Sequence, residues 1–178
     1  MKHQLKLILL LSSSVLGSLS AYAEDGKINF TGEILDAACT VDIGSGNTMT
    51  VDLGKISKST FDKSGATSAP TAFTLTLKDC PAAVTSAAIK FDGTALGGDD
   101  NILALTEGTT EAPSATGVGI QILDDDNTIV PLATASKSYT LEADTDNKLN
   151  FSARYISNSN TVVAGSADSA ISFTVNYN

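Results

Sequence analysis

Histidine is almost missing from this sequence: the one copy is His3. It sits in a leader, so a chain processed after Ala23 carries no imidazole at all. That removes Ser-His and Cys-His nucleophile activation and most zinc ligand sets. No catalytic residue, cofactor site or metal site is expected, and the chain does not read as an enzyme. Helical periodicity is missing too, since no segment after the leader sustains a 3.6-residue apolar repeat. There is no internal repeat and no sign of a second folded domain. The one long apolar stretch, residues 7–19, is too short and too serine-rich for a membrane anchor.

That stretch reads instead as a secretory signal over residues 1–23. Lys2 and Lys6 form its basic start, and Ala21-Tyr22-Ala23 fits the small-residue cleavage pattern. Basic residues are scarce beyond the signal: nine Lys and Arg against twenty Asp and Glu, a net charge of −11 from Glu24 onward. Such a surface argues against nucleic acid or anionic membrane as a partner, and it favours solubility at high local concentration. The only cysteines are Cys39 and Cys80. In an exported protein an even pair reads first as a disulfide. Its loop of about 42 residues is worth roughly 4 kcal/mol in the chain-entropy model.

What the chain does contain is strand pattern. Residues 169–178 read as a strand: Ile171, Phe173, Val175 and Tyr177 alternate with Ser172, Thr174, Asn176 and Asn178, with β-branched and aromatic residues on one face. Nothing after it supplies a strand for its far edge, and soluble sheets avoid leaving such an edge bare. Just behind the leader, Gly26, Ile28, Phe30, Gly32 and Ile34 alternate with Lys27, Asn29, Thr31 and Glu33. The alternation of this second segment predicts a strand, and it fits an ordinary first strand of a complete sandwich as well as one that another copy of the chain borrows. Between these two, strands are expected at 48–53, 71–80, 87–91, 101–106, 117–123, 128–132, 138–141 and 149–156. An extended stretch over 35–41 and a long connection over 55–70, with one helical turn near 59–62, complete the set. Many short strands with frequent turns predict a β-sandwich. Asp124-Asp125-Asp126-Asn127 lacks the glycine and closing glutamate of a calcium loop and reads as a solvated hairpin turn.

Four stretches together carry a family resemblance: GKINFTGEILDAACTVD (26–42), LTLKDC (75–80), GVGIQILD (117–124) and SFTVNYN (172–178). Gly165, fourteenth from the end, and the penultimate Tyr177 add to it. The chain resembles the pilins of chaperone–usher fimbriae, most closely the major rod subunits of type 1-like pili. The resemblance implies an incomplete immunoglobulin-like β-sandwich that lacks its last strand and is completed by a donor strand from another subunit. It divides the chain into signal peptide 1–23, donor extension 24–34 and pilin domain 35–178. Gly26, Ile28, Phe30, Gly32 and Ile34 match the donor, with Gly26 where the groove has little room. Ile171, Phe173, Val175 and Tyr177 match the acceptor groove, and Cys39 with Cys80 the family disulfide. The implied partners are further copies of the chain, a periplasmic chaperone and an outer-membrane usher; the implied location is the fimbrium at the cell surface. A minor or tip pilin, or a single-domain adhesive module, is the alternative. One departure stands out: only Glu24 and Asp25 precede Gly26, and Glu24, which shares the inward parity, is an odd occupant for an apolar groove.

Overall fold

The computed structural model describes residues 26–32, 34 and 38–178. The expected signal peptide, and Glu24, lie outside the described residues. The chain divides into two units, Met1–Ile34 and Leu35–Asn178. In the first, Ile28, Phe30 and Ile34 are 79%, 90% and 98% exposed. The second unit is all-β: among the described residues there is no α-helix, only two short 3-10 turns at Ser45–Asn47 and Lys58–Thr60.

Among the described residues its strands are β1 (Thr40–Asp42), β2 (Thr71–Lys78), β3 (Ser86–Asp92), β4 (Ala95–Leu96), β5 (Asp99–Leu103), β6 (Val118–Asp124), β7 (Tyr139–Thr140), β8 (Asn147–Ser157) and β9 (Ser172–Tyr177). They form a six-stranded sheet in the order β1-β2-β8-β6-β5-β4 and a three-stranded sheet in the order β7-β3-β9. All pairings between these strands are antiparallel, and β8 forms the spine of the larger sheet, with β2 on one side and β6 on the other. Its residues alternate strictly: Leu149, Phe151, Ala153 and Tyr155 are buried, while Lys148 and Asn150 face out. That is the one-sided burial an antiparallel sheet shows when it packs on a second sheet.

The two sheets meet through aromatic rings. Phe151 on β8 packs edge-on against Phe91 on β3 at 5.3 Å between centroids and stacks on Phe73 of β2 at 5.7 Å. Tyr139 approaches the same ring from β7, and Phe173 of β9 reaches Phe91 at 6.4 Å. Around them lie Leu75, Leu77, Ile89, Ile122 and Leu149, all buried. The Cys39–Cys80 disulfide forms at one end of this core and ties the chain just before β1 to the end of β2. Asn147 closes the same end. Its amide group donates to the carbonyls of Glu142 (2.9 Å) and Thr145 (3.1 Å), and its side-chain oxygen accepts from the Glu142 N–H (2.8 Å).

Three expected strands differ. Residues 48–53 alternate in burial as predicted but join no ladder. Residues 128–132 make only one bridge, Leu123 to Ile129. Beyond it, Val130 N–H donates to Ile122 O, Leu132 N–H to Asp100 O and Ala133 N–H to Phe91 O. The segment therefore crosses from β6 over β5 to β3, and Pro131, with no N–H, fits a path that follows no single partner. The strand expected at 101–106 runs instead from Asp99 to Leu103, behind the short β4, which the sequence pattern did not show.

The expected cost of Phe151→Ala is about 3–5 kcal/mol, because the ring is buried against Phe73, Phe91 and Tyr139. Urea denaturation of the mature protein measures it. Cys39→Ser should cost roughly 4 kcal/mol by releasing the loop it closes; the native protein should show no thiol reactive toward a maleimide before unfolding and reduction.

Candidate functional site

β9 is an edge strand. It pairs with β3 from Ala87↔Tyr177 to Asp92↔Ser172, and its other edge has no ladder partner among the described residues. Its inward residues, with Ile171 just before it, are only half-buried, although they pack on the core. The facing residues of β3 are different: Ala87, Ile89 and Phe91 are fully enclosed. One face of the core is closed and the next is open.

The segment that joined no ladder packs on the same core as β9. Val41, Ile43 and Met49 pack on the same main core, and Leu53 packs on a second apolar cluster around Phe61, Val118 and Tyr155. Residues 49–53 are extended, yet they make no backbone–backbone hydrogen bond among the described residues. Gly44 (φ 110°) and Gly46 (φ 73°) make the turn that brings this segment round. Two unpaired backbone edges thus border one strip of partly covered apolar side chains.

The ends of the strip are fixed by separate contacts. At one end the Tyr177 hydroxyl donates to the carbonyl of Cys39 at 3.4 Å, beside the disulfide. Burial holds the Tyr177 phenol above its ordinary pKa, so it stays a donor. At the other end a cavity of about 320 Å³ opens between residues 54–56 and residues 164–168. Phe61, Val118, Tyr155 and Val162 line it together with Lys55 and Lys58. Tyr155 donates to Ala167 O at 3.0 Å, and its phenol is raised by burial, then by the Asp168 and Asp52 carboxylates. Because 49–53 leads from the main core toward this cavity while β9 leads away from it, the two borders run in opposite directions.

The predicted residues fall on this geometry unevenly. Ile171, Phe173, Val175 and Tyr177 share one face along one border. Cys39 and Cys80 are bonded. Gly26, Ile28, Phe30, Gly32 and Ile34 belong to the other unit; the described ones make no ladder, and a Cβ added to Gly26 or Gly32 would meet nothing within 4 Å. The sequence reading missed the opposite border, because alternation reports a half-buried face and not a missing neighbour. It also missed Gly93, where a Cβ would lie 2.5 Å from Leu103 Cδ1 and 3.4 Å from Ile171 Cγ1. Gly165 stands out in the sequence only by its place in the chain; its physical role is closeness. A Cβ there would stand 2.5 Å from Ala115 N, Pro113 O and Ser114 C, and Ala115 N–H donates to Ser166 O at 2.7 Å. Glycine lets residues 113–116 clamp the cavity wall.

The acidic hairpin is built as a turn. Asp124, buried, accepts N–H bonds from Asp126 (3.2 Å) and Thr128 (3.0 Å), and Asp126 also accepts from Thr128 (2.9 Å). Lys137 pairs with Asp125 and Asp126 and lies over the Tyr139 ring. Bonds from Thr128 and Asp124 hold the Asp126 carboxyl well below the usual range, and burial raises that of Asp124.

An all-β sandwich with one unfinished face and a separate, apolar-alternating N-terminal unit has known counterparts. The Fimbrial protein family model matches residues 28–178. Long polar fimbria protein A of Salmonella typhimurium is 36% identical over 176 residues, covering 97% of this chain and 96% of that protein. The type-1 fimbrial protein A chain of Escherichia coli is 39% identical over 186 residues, covering 99% and 100%. Among solved structures, the P pilus rod subunit PapA has the same fold, with a TM-score of 0.62 at 22% identity over 80% of this chain and all of that one. A chaperone–usher pilus structure gives 0.62 at 24%, over 87% and 96%. By sequence and by fold, this chain belongs to the Fimbrial protein family and is a structural subunit of a fimbria.

Proposed function

We propose that the chain is the repeating rod subunit of a surface fimbria and polymerises by strand donation. The observation that carries the reading is the pair of unpaired edges, β9 and residues 49–53, bordering a half-covered apolar strip. Residues 24–34 of a neighbouring copy are the donor, with Ile28, Phe30 and Ile34 supplying the missing side chains. β-Strand addition explains the division of labour: main-chain bonds on both borders give affinity, and alternate side chains give register. The cavity offers Phe61, Val118 and Val162 to an entering side chain, so it takes Ile34. Gly26 then lies toward Tyr177. Before assembly, a periplasmic chaperone covers the strip and an outer-membrane usher exchanges it for the donor, after removal of residues 1–23. The subunit binds no cofactor and catalyses no reaction.

Filling the strip with Ile28, Phe30 and Ile34 buries three large side chains, roughly 5–9 kcal/mol at about 1.5–3 kcal/mol each before ordering costs. A typical domain has only about 5–15 kcal/mol of net stability. Mature protein deleted of residues 24–34 is therefore expected to be marginally folded and prone to aggregate. Grafting residues 24–34 after Asn178 through a flexible linker should raise its melting temperature by tens of degrees and stop polymerisation. Equal melting temperatures for the deleted and grafted chains would show that the sandwich is already complete. The rod assignment is tested separately by shearing filaments from cells, since this polypeptide should be their main component on a gel; a trace amount would make it a minor or tip subunit.

A further inference from the structure

Two copies of a chain with net charge −11 repel each other, so assembly needs a local exception to that field. Lys55, Lys58 and Lys63 lie within nine residues with only Asp62 among them, a local net charge of +2. None of the three is in an ion pair among the described residues, whereas Lys78, Lys90 and Lys137 are each paired with a carboxylate. Lys55 and Lys58 line the cavity at the end of the groove. Asp52, just before Lys55, is turned back to the N–H of Gly54 at 2.8 Å, and Asp168 is the carboxylate lining the cavity with the lysines. The proposed donor has the opposite sign. Glu24, Asp25 and Glu33 against Lys27 give residues 24–34 a net charge of −2, and Asp36 follows just beyond Ile34. Beside the cavity, exposed Ile56 and Val163 add an apolar landing surface.

We infer that Lys55 and Lys58 form an electrostatic gate that steers the acidic stretch around Ile34 of a second copy into the cavity, setting how fast assembly begins. This rests on the strand-donation reading and adds to it a rate-determining patch and the charge of its partner. Steering acts on association more than on the finished contact, and it fades within a Debye length as salt is added. Period two puts Ile34 and Glu33 on opposite faces of the donor, so Ile34 enters the cavity while Glu33 stays outside it in solvent.

The test uses the mature chain, which supplies both donor and groove. Filament growth is followed by light scattering at low and high ionic strength for wild type, Lys55→Glu, Lys58→Glu and the control Lys148→Glu. Lys148 makes the same change in net charge from an exposed place on β8. Growth of the Lys55 and Lys58 variants should slow about three- to tenfold at low salt and approach the wild-type rate at high salt, with the control little changed. Combining Lys55→Glu and Lys58→Glu with Glu33→Lys and Asp36→Lys in one chain should restore the rate, which a folding defect could not do. Equal slowing by Lys148→Glu would assign the effect to net charge and overturn the gate, as would a deficit that persists at high salt or is not restored by the swap. If the chain grafted after Asn178 polymerises as fast as wild type, strand donation itself fails; if the graft blocks assembly while the lysine variants grow normally, only the gate does.

Discussion

A β-strand with one bare edge sets the terms for everything else in this molecule. β9 is held by its ladder to β3, and that ladder satisfies half of its backbone groups. The other half face a strip of Ile171, Phe173, Val175 and Tyr177 that the chain covers only partly. Backbone donors and acceptors beside apolar surface are costly to leave without partners, and proteins avoid such edges or occupy them. The closed remainder of the sandwich makes the open face usable. Phe151, Phe91 and Phe73 lock the two sheets together beneath it, so a strand laid into the strip meets a rigid floor.

A few polar contacts secure the end marked by Tyr177. Cys39 is bonded to Cys80, just past β2 of the large sheet, and its carbonyl accepts from Tyr177 of the small one. Asn147 fills the adjoining bend with three hydrogen bonds of good length. One disulfide, one phenol and one amide thus fix where the strip begins. At the far end the work falls to backbone contact: Gly165 lets residues 113–116 lie directly on the wall of the cavity.

Much of this was legible in the sequence, and what was not has a common cause. Strands β2, β3, β6, β8 and β9 appear where period two and β-branched residues place them, because each has a buried face that its own side chains declare. The Cys39–Cys80 bond was legible from number and compartment alone. Residues 48–53 show how far alternation reaches. Met49, Val51 and Leu53 are half-buried as their spacing says, but hydrogen-bond partners are not encoded in side-chain polarity, so a wall looked like a sheet strand. The stretch 128–132 misled for the converse reason: Val130 and Leu132 are buried by crossing three strands, while Ile129 stays exposed. Gly93 and Gly165 carried no physical signal of their own, since what makes them necessary is an atom belonging to a distant segment.

The opposed directions of the two borders have a mechanical consequence. A single strand lying between β9 and residues 49–53 must run antiparallel to one and parallel to the other. It would turn the three-stranded sheet into a mixed one, with evenly slanted bonds on one flank and paired perpendicular bonds on the other. Parallel ladders are slightly weaker per residue. A filament joined in this way would therefore have a grain at every junction: under shear, each seam has a flank that tends to part first and a flank that holds.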